Sequence, residues 1–167
     1  MRGMRFFCFS IFTLLFCAFL VSCGRNTGST KDPFAEVKGT PVNLLAANGK
    51  YVCCLSELNG LLIADRDSAF AWELFRMIDL GNGKISLRGV NNKYVSVLSD
   101  DDNILAAQAL EISKAETFEI IHTTDSTIAL KAGNGFYVGI DTIRHLKLFA
   151  SSKSESNPFA RIKIVKR

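Results

Sequence analysis

Val42–Val52 reads VNLLAANGKYV, and two further stretches of the chain resemble it. They are Ile85–Val95, ISLRGVNNKYV, and Ile128–Val138, IALKAGNGFYV. Each begins 43 residues after the one before it. A fixed period of this length is the signature of an internally repeated fold. The body of the chain is therefore predicted to contain three copies of one unit.

Six positions of the repeat hold the same residue in all three copies. They are Leu44/Leu87/Leu130, Asn48/Asn91/Asn134, Tyr51/Tyr94/Tyr137, Val52/Val95/Val138, Leu62/Leu105/Leu148 and Ala64/Ala107/Ala150. A glutamate and a phenylalanine recur in the first two copies, at Glu73/Glu116 and Phe75/Phe118. The third copy is expected to lose two residues, so that its phenylalanine is Phe159.

Each copy is expected to form four β-strands. Alternating apolar residues mark the first strand, and the Tyr-Val pair marks the second. An Asn-Gly or Asn-Asn pair between them predicts a two-residue hairpin turn, since these residues adopt positive φ readily. The third and fourth strands of the three copies are predicted at 61–64 and 73–78, 104–107 and 116–121, and 147–150 and 159–165.

The number of copies separates two architectures. A period near 43 residues also suits β-propeller blades, but a propeller needs at least four, and only three copies fit. Three four-stranded units that bury their apolar residues and hide their edges give a closed barrel. The sequence thus predicts an all-β protein, a β-trefoil of three pseudo-symmetric four-stranded repeats, over residues 40–167.

The N-terminal residues form a different kind of segment. Arginines precede an apolar run, Phe6–Val21, which is shorter than the roughly 20 residues of a membrane-spanning helix. The run suits the core of a secretory signal and ends in LVSC, which resembles the bacterial lipobox. The resemblance implies that signal peptide 1–22 is cut between Ser22 and Cys23 and that Cys23 is lipidated. A secretory signal that happens to end in cysteine and an uncleaved anchor are the alternatives.

The lipobox resemblance also implies a cellular location. Residues 23–39 are polar and predict a lipidated N-terminus with a flexible tether to the domain. Gly24 follows the cysteine, where enterobacterial sorting uses aspartate to retain lipoproteins in the inner membrane. The expectation is therefore a lipid-anchored protein of the bacterial outer membrane, with the periplasmic or surface face left open.

Three motifs of the body, AANGKYV, LGNGKISL and AWELF, resemble those of the fascin-like, or actin-crosslinking-like, β-trefoil family. The resemblance covers residues 40–165 and implies the β-trefoil fold. The family's Ala-Asn-Arg element is Ala64-Asp65-Arg66 in the first copy and is lost in the other two. The family's Trp-Glu element is complete only at Trp72-Glu73. Actin bundling is not carried over, because a bacterial lipoprotein meets no actin on its side of the membrane.

Charge and cysteine use exclude several function classes. The net charge of +4, from 20 Lys and Arg against 16 Asp and Glu, is too weak to indicate nucleic acid. Basic stretches 144–147 and 161–167 are interpreted as solvated faces, with a heparin-like or lipid head-group role as the alternative. Cys53 and Cys54 are expected to pack on opposite sides of one strand, with a vicinal disulfide as the alternative. Zinc would need further ligands at short spacing, so no metal is predicted.

Catalytic motifs are missing from the sequence. There is no His-Glu-x-x-His pattern and no Gly-x-Ser-x-Gly elbow. His122 and His145 are expected in exposed turns. The acidic loop Ser99–Asn103 is interpreted as a solvated turn, with calcium binding as the alternative. A non-catalytic protein without cofactors is therefore expected.

Aromatic residues are the candidate ligand contacts. Trp72, the only tryptophan, is either a structural plug of the barrel or a platform for a sugar face. Phe70, Phe136 and Phe149 differ from their counterparts in the other copies and are expected to form an exposed patch. The candidate ligand-binding residues are accordingly Trp72, Phe136 and Phe149.

These observations favour a lipid-anchored, non-catalytic module that binds carbohydrate, by resemblance to β-trefoils generally. The Gln-x-Trp signature of ricin-type lectins is absent, since the only glutamine is Gln108. The alternative is a protein-interaction or scaffolding lipoprotein of the envelope, because loops and inter-unit clefts also suit protein partners.

Overall fold

The computed structural model describes residues 39–123, 125–143 and 145–167. The signal peptide 1–22, its cleavage between Ser22 and Cys23, the lipidation of Cys23 and nearly all of the tether lie outside these residues. Within the three ranges, no helix has the length and apolar character that crossing a membrane requires.

The described residues form twelve strands and two short 3-10 helices, Ser56–Leu58 and Pro158–Ala160. The strands are β1 Thr40–Ala46, β2 Tyr51–Leu55, β3 Leu61–Arg66, β4 Phe75–Gly81, β5 Lys84–Arg88, β6 Tyr94–Leu98, β7 Ile104–Ala109, β8 Phe118–His122, β9 Ile128–Ala132, β10 Tyr137–Ile140, β11 Leu148–Ser152 and β12 Ile162–Lys166. The all-β prediction is confirmed, and a strand lies at each predicted position.

Six of the strands close a ring. β1 pairs with β12 and β4, β5 pairs with β4 and β8, and β9 pairs with β8 and β12, all antiparallel. Every strand of this ring therefore has a paired neighbour on both sides. The ring encloses the core because alternate side chains of each strand point inward.

The other six strands form the hairpins β2–β3, β6–β7 and β10–β11, which meet at one end of the ring. β7 pairs with both β3 and β11, and Ile63 bridges to Lys147. The amides of Ala64, Ala107 and Ala150 each donate to a carbonyl of another hairpin turn. These bonds are Ala64 to Leu146 at 2.9 Å, Ala107 to Gly60 at 2.8 Å and Ala150 to Asn103 at 2.9 Å.

The repeated apolar positions form the core. Side chains that the structure buries almost completely include Leu44/Leu87/Leu130, Val52/Val95/Val138, Leu62/Leu105/Leu148 and Ala64/Ala107/Ala150. Burying a leucine or valine side chain stabilises a protein by about 1.5–3 kcal/mol. The identical columns are thus explained by packing, whereas the repeated tyrosines are only partly buried.

The Asn-Gly turns differ in length from the prediction. The Ala46 amide donates to the Lys50 carbonyl, which leaves the three residues 47–49 in the loop instead of two. Gly49 takes φ 75°, and Asn92 and Gly135 take φ 63° and 90° at the same place in the other turns. Three-residue hairpins of this kind end in one residue of positive φ. The two-residue turn occurs instead between β4 and β5, where Asn82 and Gly83 both have positive φ.

The repeated asparagine bridges two strands. Nδ2 of Asn48 donates to the Ala64 carbonyl at 2.8 Å, and its Oδ1 accepts from the Lys50 amide at 3.1 Å. Asn91 and Asn134 make the same pair of bonds, to Ala107 and Ala150 through Nδ2 and from the residue two places on through Oδ1. The repeated asparagine therefore ties the turn between the first two strands of each copy to the third strand of that copy.

The prediction that Phe159 continues the Phe75 and Phe118 column is wrong. Phe75 pairs with Val42 and Phe118 pairs with Ile85, but the residue opposite Ile128 is Ile162. Ile162 is buried, whereas Phe159 is 48% exposed. Relative to the 43-residue period, the third copy thus gains one residue before this position instead of losing two. The strand pairing and the burial determine this register, and the residue type does not.

Candidate functional site

Trp72 lies in the loop between β3 and β4 and is 44% exposed, so the interpretation of Trp72 as a barrel plug is wrong. The loop backbone is held by two hydrogen bonds. The Cys54 amide donates to the Trp72 carbonyl at 2.9 Å, and Nδ2 of Asn43 donates to the Glu73 carbonyl at 2.7 Å. Glu73 takes the buried position, which turns the indole of Trp72 outward.

The Glu73 carboxylate is the buried charge of this loop, with its side chain only 5% exposed. Its Oε2 accepts from the Phe70 amide at 2.7 Å, which closes the loop on itself. Its Oε1 lies 3.9 Å from Nε of Arg66. The same Nε lies 3.2 Å from Oδ1 of Asp65. Arg66 therefore faces two carboxylates beside the exposed indole.

These side chains line a cleft of about 610 Å³, here named the Trp72 cleft. Its lining residues are Asp65, Arg66, Asp67, Ser68, Phe70, Ala71, Trp72 and Glu73. Phe70 is 71% exposed, as expected, so two aromatic rings border the cleft. Lys50 contacts Asp67 at the rim. An apolar face beside hydrogen-bonding groups is typical of small-molecule sites.

The second copy uses its buried glutamate differently. Oε1 of Glu116 accepts from the Ser96 hydroxyl at 2.6 Å, and Oε2 accepts from the Ser113 amide at 2.9 Å. Burial raises the pKa of this carboxyl, but the hydrogen bonds from Ser113 and Ser96 outweigh burial and hold its pKa below the ordinary value. In the first copy, Cys53 replaces Ser96, and its thiol contacts Oδ1 of Asp65 at 3.6 Å.

Cys53 and Cys54 are both buried and free, as the packing interpretation predicts. Burial is the main cause that raises the pKa of both thiols, to about 11 for Cys54. Thiols of this kind stay protonated at neutral pH and are poor nucleophiles. The pair therefore contributes packing.

The predicted patch of Phe70, Phe136 and Phe149 does not form as expected. Phe149 is only 5% exposed, because it lies within β11 between its paired neighbours Gly139 and Ile104, and Phe136 is half-buried. Neither of them lines the Trp72 cleft. Phe149 instead borders a second cleft of about 280 Å³, whose exposed ring belongs to Phe159.

This second cleft is here named the Phe159 cleft. Its lining residues are Gly139, Ile140, Asp141, Thr142, Phe149, Ser151, Ser152, Asn157 and Phe159. Asn157 caps the short helix Pro158–Ala160, since its Oδ1 accepts from the Phe159 amide at 3.0 Å. Phe159 is visible in the sequence as an aromatic residue, but its exposure follows only from the strand register, in which Ile162 takes the core position.

The remaining candidate residues lie apart from both clefts. His122 ends β8 and His145 lies in a turn, and both are exposed. In the acidic loop, Asp102 and Asn103 have φ 51° and 60°, which forms the turn of the β6–β7 hairpin. Across residues 39–123, 125–143 and 145–167, no group of three or more His, Cys, Asp or Glu is arranged to hold a metal ion.

A basic depression lies near the junction of β5, β8 and β9. Lys84, Lys114 and Lys131 line it together with Glu119, which pairs across the strands with both Lys84 and Lys131. Its volume is about 440 Å³. It contains none of the aromatic residues that the sequence singles out.

The fold and the clefts define an all-β domain with aromatic surface sites. The chain belongs to the family described as "Domain of unknown function (DUF7910)", whose model matches residues 37–157. The curated proteins contain no match to this chain.

Solved structures with a β-trefoil-like fold are similar to this chain. The designed three-fold symmetric protein ThreeFoil has a TM-score of 0.66 at 15% identity, covering 75% of this chain and 97% of that one. A Polyporus squamosus lectin, bound to the epitope Neu5Acα2-6Galβ1-4GlcNAc, has a TM-score of 0.65 at 11% identity, covering 77% and 50%. A GlcNAcα1-4Gal releasing endo-β-galactosidase from Clostridium perfringens has a TM-score of 0.65 at 7% identity, covering 77% and 32%.

At these identities the similarity establishes the fold alone, and it makes the fold all-β and β-trefoil-like. The chain spans half of the lectin and about a third of the galactosidase. Function must therefore be argued from the residues of the clefts.

Proposed function

We propose that this protein is a non-catalytic, glycan-binding module that is displayed on the bacterial outer membrane by a lipid on Cys23. The exposed Trp72, beside Arg66 and two carboxylates, is the observation that carries the binding part of the proposal. The fascin-like resemblance supports the fold, and the lipobox resemblance supports the location at the outer membrane.

The Trp72 cleft has the two kinds of group that a saccharide needs. The flat indole offers an apolar face to the C–H side of a sugar ring, and its N–H remains a donor. The Arg66 guanidinium donates, and the exposed carboxylates of Asp65 and Asp67 accept, so sugar hydroxyls find both partners. Two of the similar structures, the lectin bound to a sialylated epitope and the endo-β-galactosidase, belong to proteins that bind or release glycans, which supports the same ligand class here.

We further propose that the β-trefoil consists of three pseudo-symmetric repeats. The ring of six strands and the hydrogen bonds that recur at Ala64, Ala107 and Ala150 support this arrangement. A crystal structure tests it, because Tyr51, Tyr94 and Tyr137 must then superpose under rotations of about a third of a turn.

The binding proposal is tested on the full-length chain in detergent with a glycan array. Trp72 is the only tryptophan, so its fluorescence reports directly on the Trp72 cleft. Glycans that bind in the Trp72 cleft should shift this emission, and Trp72→Ala should weaken their binding by about tenfold or more. Leu110→Ala is the matched control, since Leu110 is 79% exposed and lies in another loop. No enrichment of any glycan by the wild-type chain would refute the proposal.

The anchoring proposal has its own test. Cys23→Ala should move the protein from the membrane fraction to the soluble fraction after signal cleavage. A cleaved variant that stays in the membrane fraction would show that the lipid assignment is wrong.

Exposed apolar side chains favour the scaffolding alternative. Leu110 and Ile143 are large, apolar and strongly exposed, which suits protein contacts. Crosslinking in intact envelopes, followed by purification, should then recover one reproducible protein whose capture free sugars do not reduce. Leu110→Ala should weaken that capture and leave glycan binding intact.

A further inference from the structure

We propose that the Phe159 cleft is a second saccharide site, with a different preference from the Trp72 cleft, so that the protein is a two-site binder of mixed specificity. This inference rests on the proposed glycan-binding function. It assigns a ligand role to Phe159.

The strand register places Phe159 and Trp72 at equivalent positions. Phe159 lies three residues before Ile162, and Trp72 lies three residues before Phe75. Ile162 pairs with Ala46 of β1, and Phe118, which is the counterpart of Phe75 in the second copy, pairs with Ala132. The two rings therefore occupy the same place relative to the barrel.

Both rings are exposed at this place, 44% for Trp72 and 48% for Phe159. A large apolar side chain that packing does not use, at the mouth of a cleft with polar walls, is suited to contact a ligand. The buried ring of Phe149 forms part of the cleft, and Ser151, Ser152 and Asn157 supply hydroxyl and amide groups beside it.

The second copy lacks such a site. Its residue at the equivalent position is Ala115, whose carbonyl accepts from the Val97 amide at 3.1 Å, as the Trp72 carbonyl accepts from Cys54. Its glutamate, Glu116, is engaged on both oxygens by Ser96 and Ser113. The fold thus does not require an aromatic residue at this position, which argues that Trp72 and Phe159 serve another purpose.

The polar groups of the two clefts differ, and this difference sets the expected preference. The Trp72 cleft contains Arg66 between two carboxylates. In the third copy, Ala160 replaces the buried glutamate that is Glu73 in the first copy. Gly139 stands where the first two copies have Cys53 and Ser96, and a Cβ added to Gly139 would lie 3.3 Å from the Phe159 carbonyl oxygen. Among the described residues, the only charged one that lines the Phe159 cleft is Asp141, whose Oδ1 accepts from the Ile143 amide at 2.8 Å, and no cation lines the cleft to pair with an acidic sugar. The Phe159 cleft should therefore favour neutral saccharides, held by stacking and by hydroxyl and amide hydrogen bonds.

A glycan array with neutral and acidic oligosaccharides separates the two clefts, using the full-length chain in detergent. Phe159→Ala should reduce binding to a subset of neutral glycans by about tenfold, and it should leave the Trp72 emission shift with other glycans unchanged. Trp72→Ala should reduce a different subset, and the double variant should bind neither. Phe159→Tyr keeps the ring and should keep binding, while Leu110→Ala controls for the loss of an exposed apolar side chain.

The outcomes distinguish this inference from the proposed function. If Trp72→Ala abolishes all binding and Phe159→Ala behaves as Leu110→Ala does, the protein has one site and the inference is wrong, although glycan binding stands. If the wild-type chain binds no glycan, both fail. Thermal unfolding of each variant checks folding, and a Phe159→Tyr variant that folds but loses the neutral subset also counts against stacking at this cleft.

Discussion

The hydroxyl of Ser96 donates a 2.6 Å hydrogen bond to Oε1 of Glu116, and both residues are buried. This bond joins β6 to the loop that precedes β8. Hydrogen bonds to a charged group are stronger than neutral ones, and a buried carboxylate that loses its donor is costly. The pair is therefore a structural tie of the second copy, at the place where the first copy opens its cleft.

Removing this tie should destabilise the domain. We expect Ser96→Ala to lower the free energy of unfolding by about 1–3 kcal/mol, because Glu116 loses a donor in a buried environment. Ser86→Ala is the control, since the Ser86 hydroxyl is buried without a hydrogen-bond partner in the part of the chain that the structure describes. That change should be neutral or stabilising, and chemical denaturation of both variants measures the difference. Equal losses in the two would contradict the assignment.

The lowered pKa of Glu116 predicts how stability depends on pH. A carboxyl whose folded pKa lies below its unfolded value, about 4.5, contributes stability that is present above that value and is lost as pH falls through the folded pKa. Glu116→Gln should thus be less stable than wild type near neutral pH, and its stability should fall less steeply as the solution is acidified. Denaturation midpoints between about pH 3 and 7 measure this slope. Parallel curves for the two proteins would contradict the prediction.

The bridging asparagines should each contribute to stability. Asn48→Ala removes the 2.8 Å bond to the Ala64 carbonyl and the 3.1 Å bond from the Lys50 amide, so we expect a loss of about 1–3 kcal/mol. Asn48→Asp keeps an oxygen for the Lys50 amide but cannot donate to Ala64, and it separates the two contributions. A variant at Asn48 that unfolds as the wild type does would show that the bridge is dispensable.

Two glycines with similar backbone angles should respond differently to alanine. Gly60 and Gly49 have φ 77° and 75°, so both substitutions carry the same penalty for positive φ. A Cβ on Gly60 would lie 2.3 Å from the Ala107 carbonyl oxygen, whereas a Cβ on Gly49 has nothing within 4 Å. Gly60→Ala should therefore cost clearly more than Gly49→Ala, which costs about 1 kcal/mol. Similar melting temperatures for both variants would mean that the turn at Gly60 can move away from Ala107 without a loss of stability.

The fold could be predicted largely from the sequence. Residues that are identical at a 43-residue offset, such as those at the Leu44 and Val52 positions, identify the buried columns and the strands that carry them. The roles of other repeated residues could not. The asparagine column reads as turn chemistry, because its bond to a carbonyl sixteen residues away becomes visible only when the hairpin is paired.

The candidate site could be predicted only in part. Trp72 and Phe70 are conspicuous in the sequence, but residue type alone does not tell whether Trp72 or Glu73 points inward. The repeated phenylalanine predicts Phe159 for the third copy, whereas the barrel accepts Ile162 at that position. The sequence predicts Phe149 on the surface, but its position in β11 buries it.

The pairing of β1 with β12, which sets Val42 opposite Lys166, has a consequence for how the gene could be rearranged. The first and last strands of the ring are neighbours, so a short peptide could join them, and the polypeptide could begin instead at the tight turn of Asn82 and Gly83. Such a circular permutant would keep every strand pairing, and permutants opened at exposed turns are commonly tolerated. Several different orders of the strands along the chain are therefore compatible with the same ring.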